Sequence, residues 1–232
     1  MIIKLLKAHK QKEDFYAFYK KIETHVPEVR EFISRSLKAA ENEGKLDRGY
    51  YDPQGILDEV YLAVFSEFDS EWDEKALRYY LLKIAVDKLD EKKVLEATVS
   101  TPVSTGDLLN EELNRLKEDF TTDGDGDLIL NTELDDISYK QEKRYRQDIY
   151  MDEIVERPIL EKLKLDEAFQ ISARRRAFFG YLYSTIPHIS KTIFELHIYA
   201  NQSAPEISLI IDTEEEKVRR VLKMITERFK KV

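Results

Sequence analysis

Residues 186–231, IPHISKTIFELHIYANQSAPEISLIIDTEEEKVRRVLKMITERFKK, decide the fold. Ile207, Ile210 and Ile211 fall at i, i+3, i+4, and Val218, Val221, Leu222, Ile225 and Phe229 continue the same period. The pattern predicts a helix, a short helix, a tight turn and a basic helix, the layout of a helix-turn-helix. Thr213 with Glu216 has capping-box spacing, which puts the start of the last helix near residue 214. Opposite its apolar stripe stand Lys217, Arg219, Arg220 and Lys223. That face suits phosphates or base edges, although a basic stripe is also an ordinary solvated face.

Outward from this segment, residues 1–95 predict a helical bundle. Phe15, Phe18 and Ile22, then Val29, Phe32, Ile33 and Leu37, mark amphipathic helices before the connection ENEGKLDRGYYDPQG. Leu57, Val60, Tyr61, Val64, Phe65 and Phe68 keep helical spacing over three turns, and Leu77, Leu81, Ile84 and Leu89 line a later helix. No alternating strand pattern competes there. Residues 96–170 read as a partly helical linker: TVSTPVSTGD and TTDGDGD interrupt the periodicity, and short helices are expected in LLNEELNRLKEDF and MDEIVERPILEKLKLDEAF. The expected architecture is all-α, with an N-terminal helical domain over 1–95, an acidic linker over 96–170 and a helix-turn-helix domain over 171–232.

The formal charge of −9 is unevenly spread: residues 1–95 carry −2, residues 96–170 carry −11 and residues 171–232 carry +4. The one basic segment holds the helix-turn-helix. The absence of cysteine excludes disulfides and thiolate metal sites, and no apolar run approaches bilayer length, so the expectation is a cytoplasmic protein without a membrane segment. The run TDGDGDLILNTEL imitates a calcium loop, but from Asp123 the sixth position is Leu128 and the twelfth Leu134, where glycine and glutamate belong. His9, His25, His188 and His197 lack metal-like spacing. With no phosphate loop and no nucleophile motif, neither a cofactor nor an enzyme activity is expected.

Two stretches carry a family resemblance. GILDEVYLAVFSEFD followed by ALRYYLLKIAVDKLDEKK resembles the promoter-melting domain of bacterial sigma factors through Ile56, Leu57, Glu59, Val60, Tyr61, Leu62, Phe65, Tyr80, Leu81, Lys83, Ile84 and Ala85. Ile186, Pro187, Lys191, Ile193, Phe194, Leu196, Glu206, Ile207, Ile210, Val218, Arg219 and Leu222 are similar, without gaps, to the domain that reads the −35 element. In this order, and joined by an acidic linker, the two resemble the two-domain extracytoplasmic-function sigma factors over about 150 of the 232 residues.

The resemblance implies a transcription initiation factor that acts with core RNA polymerase on promoter DNA. By it, Asp58, Glu59 and Leu62 would dock on the polymerase clamp. Tyr79, Tyr80, Lys83, Asp87 and Lys88 would face the −10 element, and Lys217, Arg219, Arg220 and Lys223 would enter the −35 major groove. Tyr79, Tyr80 and Trp72 suit base stacking and also suit a core. The linker would lie in the basic channel of the polymerase as a nucleic-acid mimic, and an anti-sigma factor is a further partner the family brings.

There are departures. Gly55, Asp58, Val86 and Asp87 replace the usual residues of the first pattern, Asp212 stands at the turn glycine, and Glu214, Glu215 and Glu216 crowd the start of the reading helix. Those carboxylates suit the helix dipole but repel phosphate. Two alternatives therefore stay open: a polymerase-binding module brought to DNA by a separate, DNA-bound or nucleic-acid-guided partner, and an ordinary helix-turn-helix regulator.

Overall fold

The computed structural model describes residues 2–96, 109, 112, 113, 120–122, 128–130, 149–165 and 173–230. The fold is all-α. Five helices form the N-terminal part: α1 (Ile2–Gln11), α2 (Phe15–His25), α3 (Pro27–Asn42), α4 (Pro53–Glu67) and α5 (Glu74–Glu96). Five more follow: α6 (Glu153–Leu163), α7 (Ala173–Ser184), α8 (His188–Ile198), α9 (Ala204–Ile210) and α10 (Glu215–Lys230).

Local chemistry sets most boundaries. Asp14, Asp52 and Asp73 accept backbone N–H bonds from Ala17 (3.0 Å), Gln54 (3.2 Å) and Ala76 (2.7 Å) at the starts of α2, α4 and α5. Pro27 and Pro53 stand in the first turns of α3 and α4, where no N–H is needed. Gly44, at φ 70°, ends α3 while Lys45 N–H reaches back to the Ala40 carbonyl at 2.9 Å.

Leu57, Val60, Tyr61 and Val64 are buried along α4, and Phe65 and Phe68 pack against the same core. Phe18 meets Phe65 and Phe68 edge-on, with ring centroids 5.0 and 5.4 Å apart. On α5 the expected Leu77, Leu81 and Leu89 are buried, and so are Leu82, Ala85 and Val86. A second apolar stripe thus runs beside the first, because α5 packs on α3 and α4 and also on α9. Helix α8 is buried almost throughout and touches α3, α6, α9 and α10. The buried side chains form a single cluster from Ile2 to Phe229.

The middle of the chain departs from the linker expectation where it is described. Residues 120–122 pair antiparallel with residues 128–130, Phe120 opposite Leu130 and Thr122 opposite Leu128. The physical reason is legible afterwards: β-favouring residues flank an Asp-Gly run, which is hairpin chemistry. The DGDGD stretch itself, residues 123–127, and the calcium reading tested on it lie outside the described residues. So does most of LLNEELNRLKEDF, of which Leu109, Glu112 and Leu113 are described, helical and buried. The expected helix near MDEIVERPILEKLKLDEAF is α6.

The turn between α9 and α10 also differs in detail. The reciprocal cap lies at Ser203 and Glu206, at the start of α9. At α10 the Glu214 carbonyl accepts the first bonds, from Lys217 (3.1 Å) and Val218 (3.3 Å), so the helix starts one residue beyond the Thr213 reading. Asp212 has φ 52° and Thr213 N–H bonds the Ser208 carbonyl at 2.9 Å. This turn needs one left-handed residue, and aspartate tolerates that conformation better than most.

Candidate functional site

Helix α4 turns two faces to two environments. While Leu57, Val60, Tyr61 and Val64 fill the core, Gly55, Asp58, Glu59 and Leu62 at i, i+3, i+4 and i+7 point away from it. Opposite them stand Phe15, Tyr16 and Tyr19 of α2, and together with Gln54 these residues line an open groove of about 440 Å³. Its apolar surface is exposed: Leu62 is 56 % and Tyr16 71 % accessible. Gln54 holds the groove's shape, since its amide donates to Tyr19 Oη (2.7 Å) and Asp58 Oδ1 (2.9 Å) while accepting from Arg30 (2.8 Å).

The three residues expected to bind polymerase, Asp58, Glu59 and Leu62, are thus side by side. Glu59 is not a free carboxylate. It accepts from Lys92 at 2.9 and 3.1 Å, and Lys88 lies at 3.6 Å. Phe15, Tyr16 and Tyr19 on the facing wall were missed as site residues. The signal was the adjacent aromatic pairs Phe15-Tyr16 and Phe18-Tyr19, which widen the apolar face of α2 beyond the stripe a core needs.

The residues expected at the −10 element do not form one surface. Tyr80 and Lys88 lean toward α4: Tyr80 donates to Glu67 and lies 4.6 Å from Trp72, ring to ring, and Lys88 bonds Glu91 at 2.9 Å. Burial, with the Glu67 carboxylate beside it, pushes the Tyr80 hydroxyl up to about 12. Trp72 is partly buried between Phe68 and Tyr80. On another face, Lys83 and Asp87 line a cleft of about 310 Å³ with Val86 and Asp90, closed by His188, Ile189 and Thr192 of α8 and by Ile210, Ile211 and Asp212. Tyr79 feels Glu206 of α9, and burial raises its hydroxyl. Asp87 is held above the usual carboxylate range by burial, with Asp90 adding repulsion and Lys83 and Lys88 opposing it.

On α10 the four expected cations share an exposed side with their own counterions. Lys217 lies 3.3 Å from Glu214, Arg219 donates to Glu215 at 2.7 Å, and Lys223 is 3.9 Å from Glu227. Arg220 is exposed, with no carboxylate at ion-pair distance among the described residues. Of the arginines at the start of α7, Arg176 pairs with Glu156 at 3.3 Å, and the side chains of Arg174 and Arg175 lie outside the described residues.

A buried polar cluster was not foreseen. Lys191, 5 % exposed, bonds Glu43 of the α3–α4 connection, whose other oxygen meets Lys45 at 2.5 Å, and Tyr183 donates to Glu195 at 2.5 Å nearby. Among the described residues no group of three or more histidines and carboxylates is placed to hold a metal ion. No described helix is long and apolar enough to cross a membrane. The chain matches no protein-family model, no curated protein and no solved structure.

Proposed function

We propose that this chain is a transcription initiation factor of the sigma type, which docks on core RNA polymerase through the α2–α4 groove and directs it to promoter DNA. One observation carries the reading. Asp58, Glu59 and Leu62, chosen on sequence register alone, form with Phe15, Tyr16 and Tyr19 an exposed apolar groove with an acidic edge. Such a surface fits a partner that offers an apolar ridge flanked by basic side chains. Tyr80 and Lys88 with Tyr79, Lys83 and Asp87 would then meet the −10 strands after the chain opens, and α10 would approach the −35 groove.

The test is co-elution of the purified chain with core polymerase. Charge reversal at Asp58 or Glu59 and the change Leu62→Asp should each weaken binding at least tenfold without loss of helix content, because all three are at the surface. No binding of the wild-type chain at about micromolar concentration would remove the sigma reading.

A second reading is favoured by the paired cations of α10. A helix whose Lys217, Arg219 and Lys223 are matched by its own Glu214, Glu215 and Glu227 has little net field for phosphate. In that reading the chain is a polymerase-binding module, and a separate DNA-bound or nucleic-acid-guided partner supplies the targeting.

A further inference from the structure

The first turn of α8, residues 188–191, gathers contacts from three other parts of the chain. His188 Nε2 lies 3.3 Å from Asp90 Oδ2 of α5, whose other oxygen is 3.7 Å from Lys93. Ile189 and Ser190 give their backbone N–H groups to the Glu112 carboxylate at 2.9 and 2.7 Å, and the Ser190 hydroxyl donates to it at 2.7 Å. Lys191 bonds Glu43 at the end of α3. Every one of these partners lies outside the α7–α10 unit.

We infer that this turn is a releasable latch, and that the structure is the closed state of a chain whose α7–α10 unit swings away from the α1–α5 bundle. The seam is built for release. Apolar contacts from Val86, Ile189 and Ile210 are interrupted by the cleft that Lys83, Asp87, Asp90, His188 and Asp212 line. Buried ion pairs recover their desolvation cost poorly, so a polar latch fixes where two units meet more than how tightly. Charged groups on both sides of the seam regain hydration when it opens, and polar interfaces between units of one chain move by default.

The purpose of opening rests on the proposed function. Tyr79, Lys83 and Asp87 lie against α9 and the α9–α10 turn, so the two surfaces assigned to DNA obstruct each other. The −10 and −35 elements are about 25 base pairs apart, roughly 85 Å at 3.4 Å per pair. A compact chain of this length has a radius of gyration of only about 17 Å. One closed molecule cannot reach both.

Because the chain has no cysteine, dyes placed at Asp69→Cys and Lys230→Cys, both exposed positions, report the separation of the two units in the full-length protein. The expected result is a dominant high-transfer population. The combined variant Glu43→Gln, Asp90→Asn, Glu112→Ala should raise the ratio of open to closed molecules at least tenfold with unchanged helical dichroism. An unchanged transfer distribution overturns the latch. If that variant loses helix, hydrogen exchange of the wild type decides: the Ile189 and Ser190 amides, bonded only to Glu112, should exchange at least 100-fold faster than those of Ile33 and Leu37, and equal rates overturn it. A variant that opens yet binds duplex DNA no more tightly supports the latch and counts against the DNA assignment instead.

Discussion

Lys191 has an environment that few lysines tolerate. Burial draws its ammonium down to about 8 from the ordinary lysine value of 10.5, against the attraction of Glu43. Unfolded, it titrates near the ordinary value. Between the two the unfolded chain holds more protons than the folded one, so this residue makes stability rise with pH over that window. The urea midpoint should therefore climb from about pH 8 to about pH 10, and Lys191→Met should remove that part of the climb; identical pH profiles would refute the assignment. Lys45 remains beside Glu43 in this variant, so the carboxylate keeps a partner. Two buried tyrosines offer a matched comparison. Tyr61 is fully buried and its hydroxyl has no hydrogen-bond partner among the described residues, whereas Tyr183 donates to Glu195 at 2.5 Å. Tyr61→Phe should raise stability by up to about 1 kcal/mol, and Tyr183→Phe should lower it by about 1–3 kcal/mol. Thermal or urea unfolding of the pair decides, and equal effects would contradict the assigned hydrogen bonds.

At the scale of elements, two glycines in helices separate propensity from packing. Gly55 on α4 has open space where a Cβ would project, so Gly55→Ala should stabilise by about 1 kcal/mol. Gly180 on α7 does not: a Cβ there would lie 1.8 Å from the Ile149 carbonyl oxygen. Gly180→Ala should lower the melting temperature despite the same gain in propensity, because the strand of chain carrying the buried Met151 must lift off α7. A stabilised Gly180→Ala variant would disprove that close approach. The stripes of α3, α4 and α10 were legible in the sequence because each buries one face and leaves the other to solvent, which is what a 3.6-residue period records. Helix α5 was half legible. Its adjacent apolar pairs Leu81-Leu82 and Ala85-Val86 announce two buried faces, but a period cannot say which distant element covers the second. The pairing of 120–122 with 128–130 was missed since three-residue strands are too short to display alternation. Of the candidate site, the α4 wall was readable from register, whereas Tyr16 and Tyr19 become groove residues only once α2 lies across from α4. The Glu112 and Lys191 contacts span 77 or more positions and leave no local trace.

For the whole molecule the governing question is which part of its field meets nucleic acid. The chain carries −9 overall, and its one basic segment spends most of its cations on neighbouring carboxylates. Arg220 stands apart as the exposed, unmatched cation of the reading face. Electrostatic affinity follows the number of phosphates neutralised, and the salt dependence follows the same number. A helix with one unmatched arginine and three screened cations should show weak binding to duplex DNA by the full chain, with a log–log salt slope shallower than four free cations would give. Footprinting of the polymerase complex then separates the two proposed modes of targeting. Protection of the −35 region without any partner, lost when Arg220 and Lys223 are both changed to Ala, would show that polymerase supplies the missing affinity and that α10 reads for itself. Absence of −35 protection, in a complex that still holds polymerase through the α2–α4 groove, would mean that the acidic start of α10 has given up the reading to a partner already on the DNA.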